Sequence, residues 1–359
     1  MSQCYIYFPG LLGPNAPIEV LAQQEWPGKQ DLPHLTTLLA RGKTTLLLST
    51  DIETRLLNCL GISFSSKSDA PENERSVDKN EVPIAQLRAQ KMPELVTAKR
   101  LWCLDPVYVQ IDKEDAVLQA NDQLELGEEE AQRLIEDINV HFEQDSIKLH
   151  YCSRHQWVLE ADFELSTTSL SSVLFNPIST YQPTGPDEKQ WRNLINEVQM
   201  LLYRHPLNQA REEQGVMPVN SLWLWGGGRS FYYKNKIDCV FSDDGWVADI
   251  ASACDITHQA VKQLEAGILG QPLVLVVCLD QLAGVKRNDM FAWLDSLYRL
   301  ENEILKVLMV LVLENKLDSI TIISDTISIQ VTKKTLTRWW RRVKPMRNSV
   351  LVLRDSYGL

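Results

Sequence analysis

Histidine is scarce in this 359-residue chain, paired cysteines are missing, and no apolar run is long. Each shortage narrows the function. The six histidines show no metal-ligand spacing, and His141, His150 and His155 read as surface or strand residues. The seven cysteines are odd in number, scattered and free of any Cys-x-x-Cys pair. That pattern offers no zinc framework and suits a reducing cytoplasm. The opening Met-Ser-Gln-Cys-Tyr-Ile has no basic region followed by a long apolar run, so a secretory leader is not expected. The run Ile304 to Leu313 is apolar nearly all round, but Lys306 interrupts it, and it is shorter than the ~20 residues that span a bilayer. Basic residues are outnumbered 36 to 47, and the net charge of -11 argues against a general attraction to nucleic acid or anionic membranes.

The remaining composition, 44% hydrophobic and 23% charged, is that of an ordinary globular protein with one large or two moderate domains. Cys4 to Phe8 reads as a buried first strand ended by Pro9-Gly10. Leu32 to Gly42 and Asp51 to Gly61 read as glycine-stopped helices, with Ser49 or Thr50 as the cap of the second. Residues 63–81 are polar and charged and read as a flexible linker or long loop. Leu101 to Ile111 is β-rich, with Pro106 at a strand boundary, and Ala116 to Ala120 is its partner. Gly127 to Glu143 is an amphipathic helix with three glutamates in its first turn. Lys148 to Tyr151 and Gln156 to Glu160 form an antiparallel pair. Asp238 to Phe241 is a strand and Gly245 to Cys254 a helix. Pro272 to Leu279 has the continuous apolar character of a strand buried on both faces. Asn288 to Asn315 is a long helix, Asp318 to Ser324 and Ile327 to Val331 are strands, and Ser349 to Leu353 is an edge strand.

The chain is organised around 196–229. Trp191 to Tyr203 has helical apolar spacing, and His205-Pro206 interrupts it. A short helix from Leu207 stops at Gly215, and the apolar Ser221 to Trp225 runs as a buried strand into Gly226-Gly227-Gly228-Arg229. A glycine run after a strand lets amides crowd around an anion, or it is a tight strand exit. No Gly-Lys-Ser/Thr follows it, so it is not the phosphate loop of nucleotide hydrolases. A small phosphorylated or carboxylate ligand would fall near Asn208, Arg211, Asn220, Gly226, Gly227, Gly228 and Arg229. The competing reading has Arg211 paired with a helix carboxylate, holding the insert onto the core.

This stretch resembles a segment of the archaeal-type cofactor-independent phosphoglycerate mutases, with His205, Pro206, Asn208, Arg211, Pro218, Asn220 and the three glycines as counterparts. It is closer still to the bacterial RpfE-type regulatory proteins, relatives of those mutases in the alkaline phosphatase superfamily. The resemblance implies an α/β fold: an alkaline phosphatase-like, largely parallel sheet with flanking helices and an inserted α+β domain. The expected boundaries are 1–100 for the first part of the core, 101–186 for the insert and 187–359 for the second part.

The metal ligands and nucleophile of that superfamily are poorly matched. The first strand should end in a metal-binding aspartate, and here it ends at Pro9. Counting back from Gly61 puts Ile52 at the nucleophile position. An Asp-x-x-x-His set becomes Asp280 with Gly284 in the histidine's place, and an Asp-His pair becomes Asp325-Thr326. Asp280 and Asp325 are thus vestigial candidates, able to hold a weakly bound divalent metal but not a two-metal centre; alternatively they are turn residues or caps. No catalytic residue and no cofactor are expected. The resemblance therefore implies a cytoplasmic pseudoenzyme, a regulatory or ligand-sensing protein; the alternative is an active mutase-like phosphoryl-transfer enzyme.

The segment Lys333 to Arg347 interleaves Lys333, Lys334, Arg338, Arg341, Arg342, Lys344 and Arg347 with Trp339 and Trp340. It is either a contact for an acidic protein partner, less so for nucleic acid, or a solvated turn whose tryptophans pack on the core.

Overall fold

The computed structural model describes residues 2–14, 18–23, 26, 32–48, 50–64, 81–90, 92–95, 100–111, 116–119, 124–145, 147–228, 231–233 and 237–358. Most of the expected linker, 65–80, lies outside the described residues, as do Ser49 and Arg229. The strands are β1 (Gln3–Tyr7), β2 (Lys43–Leu46), β3 (Ile62–Phe64), β4 (Leu101–Ile111), β5 (Ala116–Gln119), β6 (Lys148–Ser153), β7 (Gln156–Glu160), β8 (Ser221–Trp225), β9 (Phe231–Tyr233), β10 (Cys239–Phe241), β11 (Thr257–Gln259), β12 (Leu273–Val277), β13 (Ser319–Ile323) and β14 (Ile327–Thr332). The chain divides into two compact units, 1–62 with 233–359, and 63–232.

The first unit is built on a seven-stranded sheet in the order β11-β10-β12-β1-β13-β14-β2. The first five strands of that order run parallel, and β14 is antiparallel to both β13 and β2. The reason lies in the side chains. Cys4, Ile6, Val274, Val276, Ile320 and Ile322 are in register on one face and share one core, while Tyr7, Leu275, Val277 and Thr321 are buried on the other, the mark of strands covered on both faces. Helices supply the cover through Leu35, Leu38, Trp293, Leu297 and Leu308.

The long helix expected over 288–315 is present as Met290–Arg299, a π-helical turn Leu300–Leu305, and Lys306–Leu313. A wide turn of this kind usually serves a purpose. Here it carries the buried Glu301, whose oxygens accept bonds from the backbone amides of His34 and Leu35, each at 2.8 Å. His34 Nδ1 lies 2.6 Å from the same carboxylate. Helix Pro33–Arg41 has no side-chain cap of its own, so a distant glutamate satisfies its first-turn amides and meets its positive end.

Residues 349–353 are not an edge strand. They lie in helix Met346–Tyr357, whose buried face is Met346, Ser349, Val350 and Arg354. Their 3.6-residue spacing, hidden by the short apolar run, is closed by Gly358 in the left-handed conformation. The cap of helix Ile52–Cys59 is also neither Ser49 nor Thr50. It is Asp51, whose carboxylate accepts from Thr54 N and Thr54 Oγ1, both at 2.7 Å.

The second unit holds a five-stranded sheet in the order β5-β4-β7-β6, with β8 also paired to β4. Every ladder in it is antiparallel. The strand runs straight through Pro106, which pairs with Leu222. The described residues of 63–100 and 187–232, expected in the core sheet's domain, cluster instead with the insert. Two contacts explain the shift from the expected 101–186. All five residues of β8 are buried against β4, and Trp191, Leu194, Val198 and Leu202 of helix Glu188–Tyr203 share a core with Trp102, Leu134 and Trp157. Among the described residues no helix is long and apolar enough to cross a membrane.

Candidate functional site

In the second unit, the side chains of His205, Asn208, Arg211 and Asn220 are engaged with the protein itself. His205 caps helix Pro206–Glu213, accepting from Leu207 N at 3.2 Å, and its Nε2 lies 2.9 Å from Asp137 Oδ2. Asn208 is buried; its Nδ2 donates to the carbonyls of Leu202 and Val219 at 2.8 and 2.7 Å, and its Oδ1 accepts from Val219 N at 2.9 Å. Asn220 makes the same two-way pairing with the backbone of Val109, at 2.7 and 2.9 Å, tying β8 to β4. Arg211 is also buried, and it donates to Glu130 Oε2 at 2.8 Å, to Met217 O at 3.0 Å and to Leu124 O.

The glycine run has an anion already. Gly227 N donates to Glu81 Oε2 at 3.0 Å, and Gly228 N to Val82 O at 3.3 Å. Glu81 also accepts from Thr167 N, and burial raises the pKa of its carboxyl against these bonds. A Cβ on Gly227 would fall 2.3 Å from Trp102 Cε3, so the glycine lets the strand exit lie flat on that indole. Glu81 belongs to the segment read as a linker. Its role has no local signal, because the acceptor and the amides it meets are far apart in sequence.

In the first unit, Pro9-Gly10, Asp280 and Asp325 follow the adjacent parallel strands β1, β12 and β13. This is the edge where open α/β sheets carry their sites. The carboxylates there meet groups of the protein. Asp325 Oδ1 accepts from Gly10 N at 2.6 Å and from Ser324 Oγ at 3.3 Å, and burial raises its pKa. Arg55 Nη2 donates to the Asp325 carbonyl at 3.1 Å. Asp280 Oδ2 accepts from Arg299 Nη1 at 2.5 Å, and Asp243 Oδ2 lies 3.8 Å from the same guanidinium. Arg299, from helix Met290–Arg299, thus stands as a fixed cation among carboxylates of two strand ends.

At the expected nucleophile position, Ile52 presents a backbone carbonyl that accepts from Tyr7 Oη at 3.0 Å. The donor set does not fit a two-metal centre. Pro9, Gly284 and Thr326 supply no ligand, and a Cβ on Gly284 would already lie 3.0 Å from Trp293 N and 3.1 Å from Ala292 Cβ. An imidazole there requires the neighbouring helix to move. Among the described residues no three of His, Cys, Asp and Glu gather to hold a metal ion.

Sequence reasoning missed Lys286. Its ammonium nitrogen is buried and finds no hydrogen-bond acceptor among the described residues. Burial lowers its pKa to about 8, with Glu53 opposing the shift. No local pattern marked it, since the inward positions of helix Gln281–Lys286 are Gln281, Gly284 and Val285.

No family model matches the chain. Partial homology links it to the 2,3-bisphosphoglycerate-independent phosphoglycerate mutases. It is 26% identical to the enzyme of Methanosarcina mazei over 135 residues, 36% of this chain and 33% of that one. It is 32% identical to the enzyme of Methanothrix thermoacetophila over 71 residues, 20% of this chain and 18% of that one. The chain thus matches no more than about a third of the length of these curated relatives. Among solved structures, the PH0037 protein from Pyrococcus horikoshii aligns over 99% of this chain and 97% of its own, with a TM-score of 0.53 and 13% identity, a likeness of fold.

Proposed function

We propose, from its partial homology to the phosphoglycerate mutases, that this chain is a mutase-related protein that regulates or senses a ligand and does not transfer phosphoryl groups. One observation carries the reading: the two strand-end aspartates of the sheet's C-terminal edge are held by Gly10 N–H and by Arg299, where two-metal chemistry needs open carboxylates and added ligands. The resemblance of the 196–228 stretch to RpfE-type regulators supports the regulatory half of this reading. No disulfide joins any of the seven cysteines, which is in keeping with a reducing compartment such as the cytoplasm. The ligand class in keeping with the ancestry is a small phosphorylated or carboxylate compound.

The test is a metal analysis after reconstitution with Zn²⁺ or Mn²⁺, together with an assay for conversion of 3-phosphoglycerate to 2-phosphoglycerate. The expected result is sub-stoichiometric metal and no conversion. Two equivalents of tightly held metal, or turnover abolished by Asp280→Ala, would overturn the proposal.

A further inference from the structure

The basic segment 333–347 does not fold its tryptophans inward. Trp339 is 79% exposed and Trp340 64% exposed, in the loop between the short helix Lys333–Leu336 and helix Met346–Tyr357. The seven residues 339–345 are all exposed, Val343 among them. The loop is nonetheless anchored: Leu336 and Met346 are buried on either side of it, Arg41 Nη1 donates to Leu336 O at 2.7 Å, and Arg341 Nη1 donates to Gly42 O at 3.2 Å. The two indoles meet edge to face, with centroids 6.2 Å apart and an interplanar angle of 83°. Around them, Lys334, Arg338, Arg342 and Lys344 make no side-chain bond to another described residue.

Charge separates this loop from the rest of the molecule. Residues 333–347 carry seven cations and no carboxylate; -11 for the whole chain less +7 for the segment leaves -18 elsewhere. A two-fold contact of this loop with its own copy would press like charges together. Its complement is therefore an anionic partner. A single strand of nucleic acid stacks successive bases along a track of separated aromatics. Here the two rings adjoin in one turn and one covers part of the other's face, a compact tip rather than a track. An indole tip ringed by cations matches the boundary of an anionic bilayer, where tryptophan sits at headgroup level and Lys and Arg meet phosphates. At physiological salt, carboxylates more than about 8 Å from the exposed loop are largely screened from what it meets.

We infer that the Trp339–Trp340 loop is a peripheral docking surface for an anionic, phosphodiester-bearing membrane. The test is sedimentation of the full chain with vesicles of phosphatidylcholine and phosphatidylglycerol in equal parts, against vesicles of phosphatidylcholine alone. Each cation near such a surface contributes roughly a factor of five to binding. Arg338→Ala/Arg342→Ala should therefore bind roughly 25-fold more weakly, and high salt should release the parent chain. Trp339→Ala/Trp340→Ala should lose roughly tenfold or more with its circular dichroism unchanged, since the indoles insert. No binding to the mixed vesicles overturns the inference, as does binding to a single-stranded oligothymidine in their place. Equal binding by the tryptophan double variant also overturns it, because the contact would then be diffuse charge alone.

Discussion

Replacing Arg211 with alanine separates a ligand contact from a structural one. The guanidinium is buried and meets the Glu130 carboxylate at 2.8 Å, the Met217 carbonyl at 3.0 Å and the Leu124 carbonyl. Truncation leaves two backbone acceptors in the interior without a donor. Glu130 fares better: its side chain is one-third exposed and still accepts from Gly127 N at 2.7 Å. Breaking a buried pair costs about 3–5 kcal/mol, and the partial exposure of Glu130 puts this case near the lower end, about 3 kcal/mol. For a unit of this size each kcal/mol moves the midpoint by about 2–4 °C, so the melting temperature should fall by roughly 6–12 °C. Arg211→Lys should recover little, because one ammonium cannot reach three acceptors in the fork geometry. The assay is thermal unfolding of both variants and the parent, with and without 3-phosphoglycerate. An Arg211→Ala protein that melts with the parent but loses a ligand-induced shift seen in the parent would refute the structural reasoning.

Lys286→Met should stabilise the chain at pH 7 by about 1–3 kcal/mol, because the full penalty of holding an ammonium at a pKa of about 8 is about 3 kcal/mol. Between pH 8 and the ordinary lysine value the unfolded chain binds more protons than the folded one, so stability rises with pH there and the advantage of methionine fades. Urea unfolding at a series of pH values measures it, and a variant less stable than the parent throughout would show that Lys286 has a strong partner. Asp105→Ala should cost about 3–5 kcal/mol by the same measurement. The buried carboxylate accepts from both Arg88 Nη atoms at 2.6 and 3.0 Å, from Trp157 N at 3.1 Å and from Trp225 Nε1 at 2.8 Å, and its loss strands a buried guanidinium. A change below about 1 kcal/mol would mean that water replaces the carboxylate at little cost.

Elements whose information is local are legible in the residues alone. Continuous apolar runs at Cys4 to Phe8 and Pro272 to Leu279 announce buried parallel strands, and β1 and β12 lie side by side. Periodic burial announces helix Glu128–His141. The gaps at Pro9, Gly284 and Thr326 are legible from residue identity alone, since proline, glycine and threonine are not the ligands the chemistry requires. Tertiary structure decided whatever depends on partners distant in the chain. β8 reads as a buried strand, but only its ladder with β4 assigns it to the antiparallel sheet of 63–232. Residues 349–353 look like a strand until a core is present for the face of Val350 and Arg354. The partners of Arg211, Asp325 and the glycine amides lie 81, 315 and 146 residues away. A hydrogen bond forms only where donor and acceptor meet, and no local pattern in the chain records that meeting.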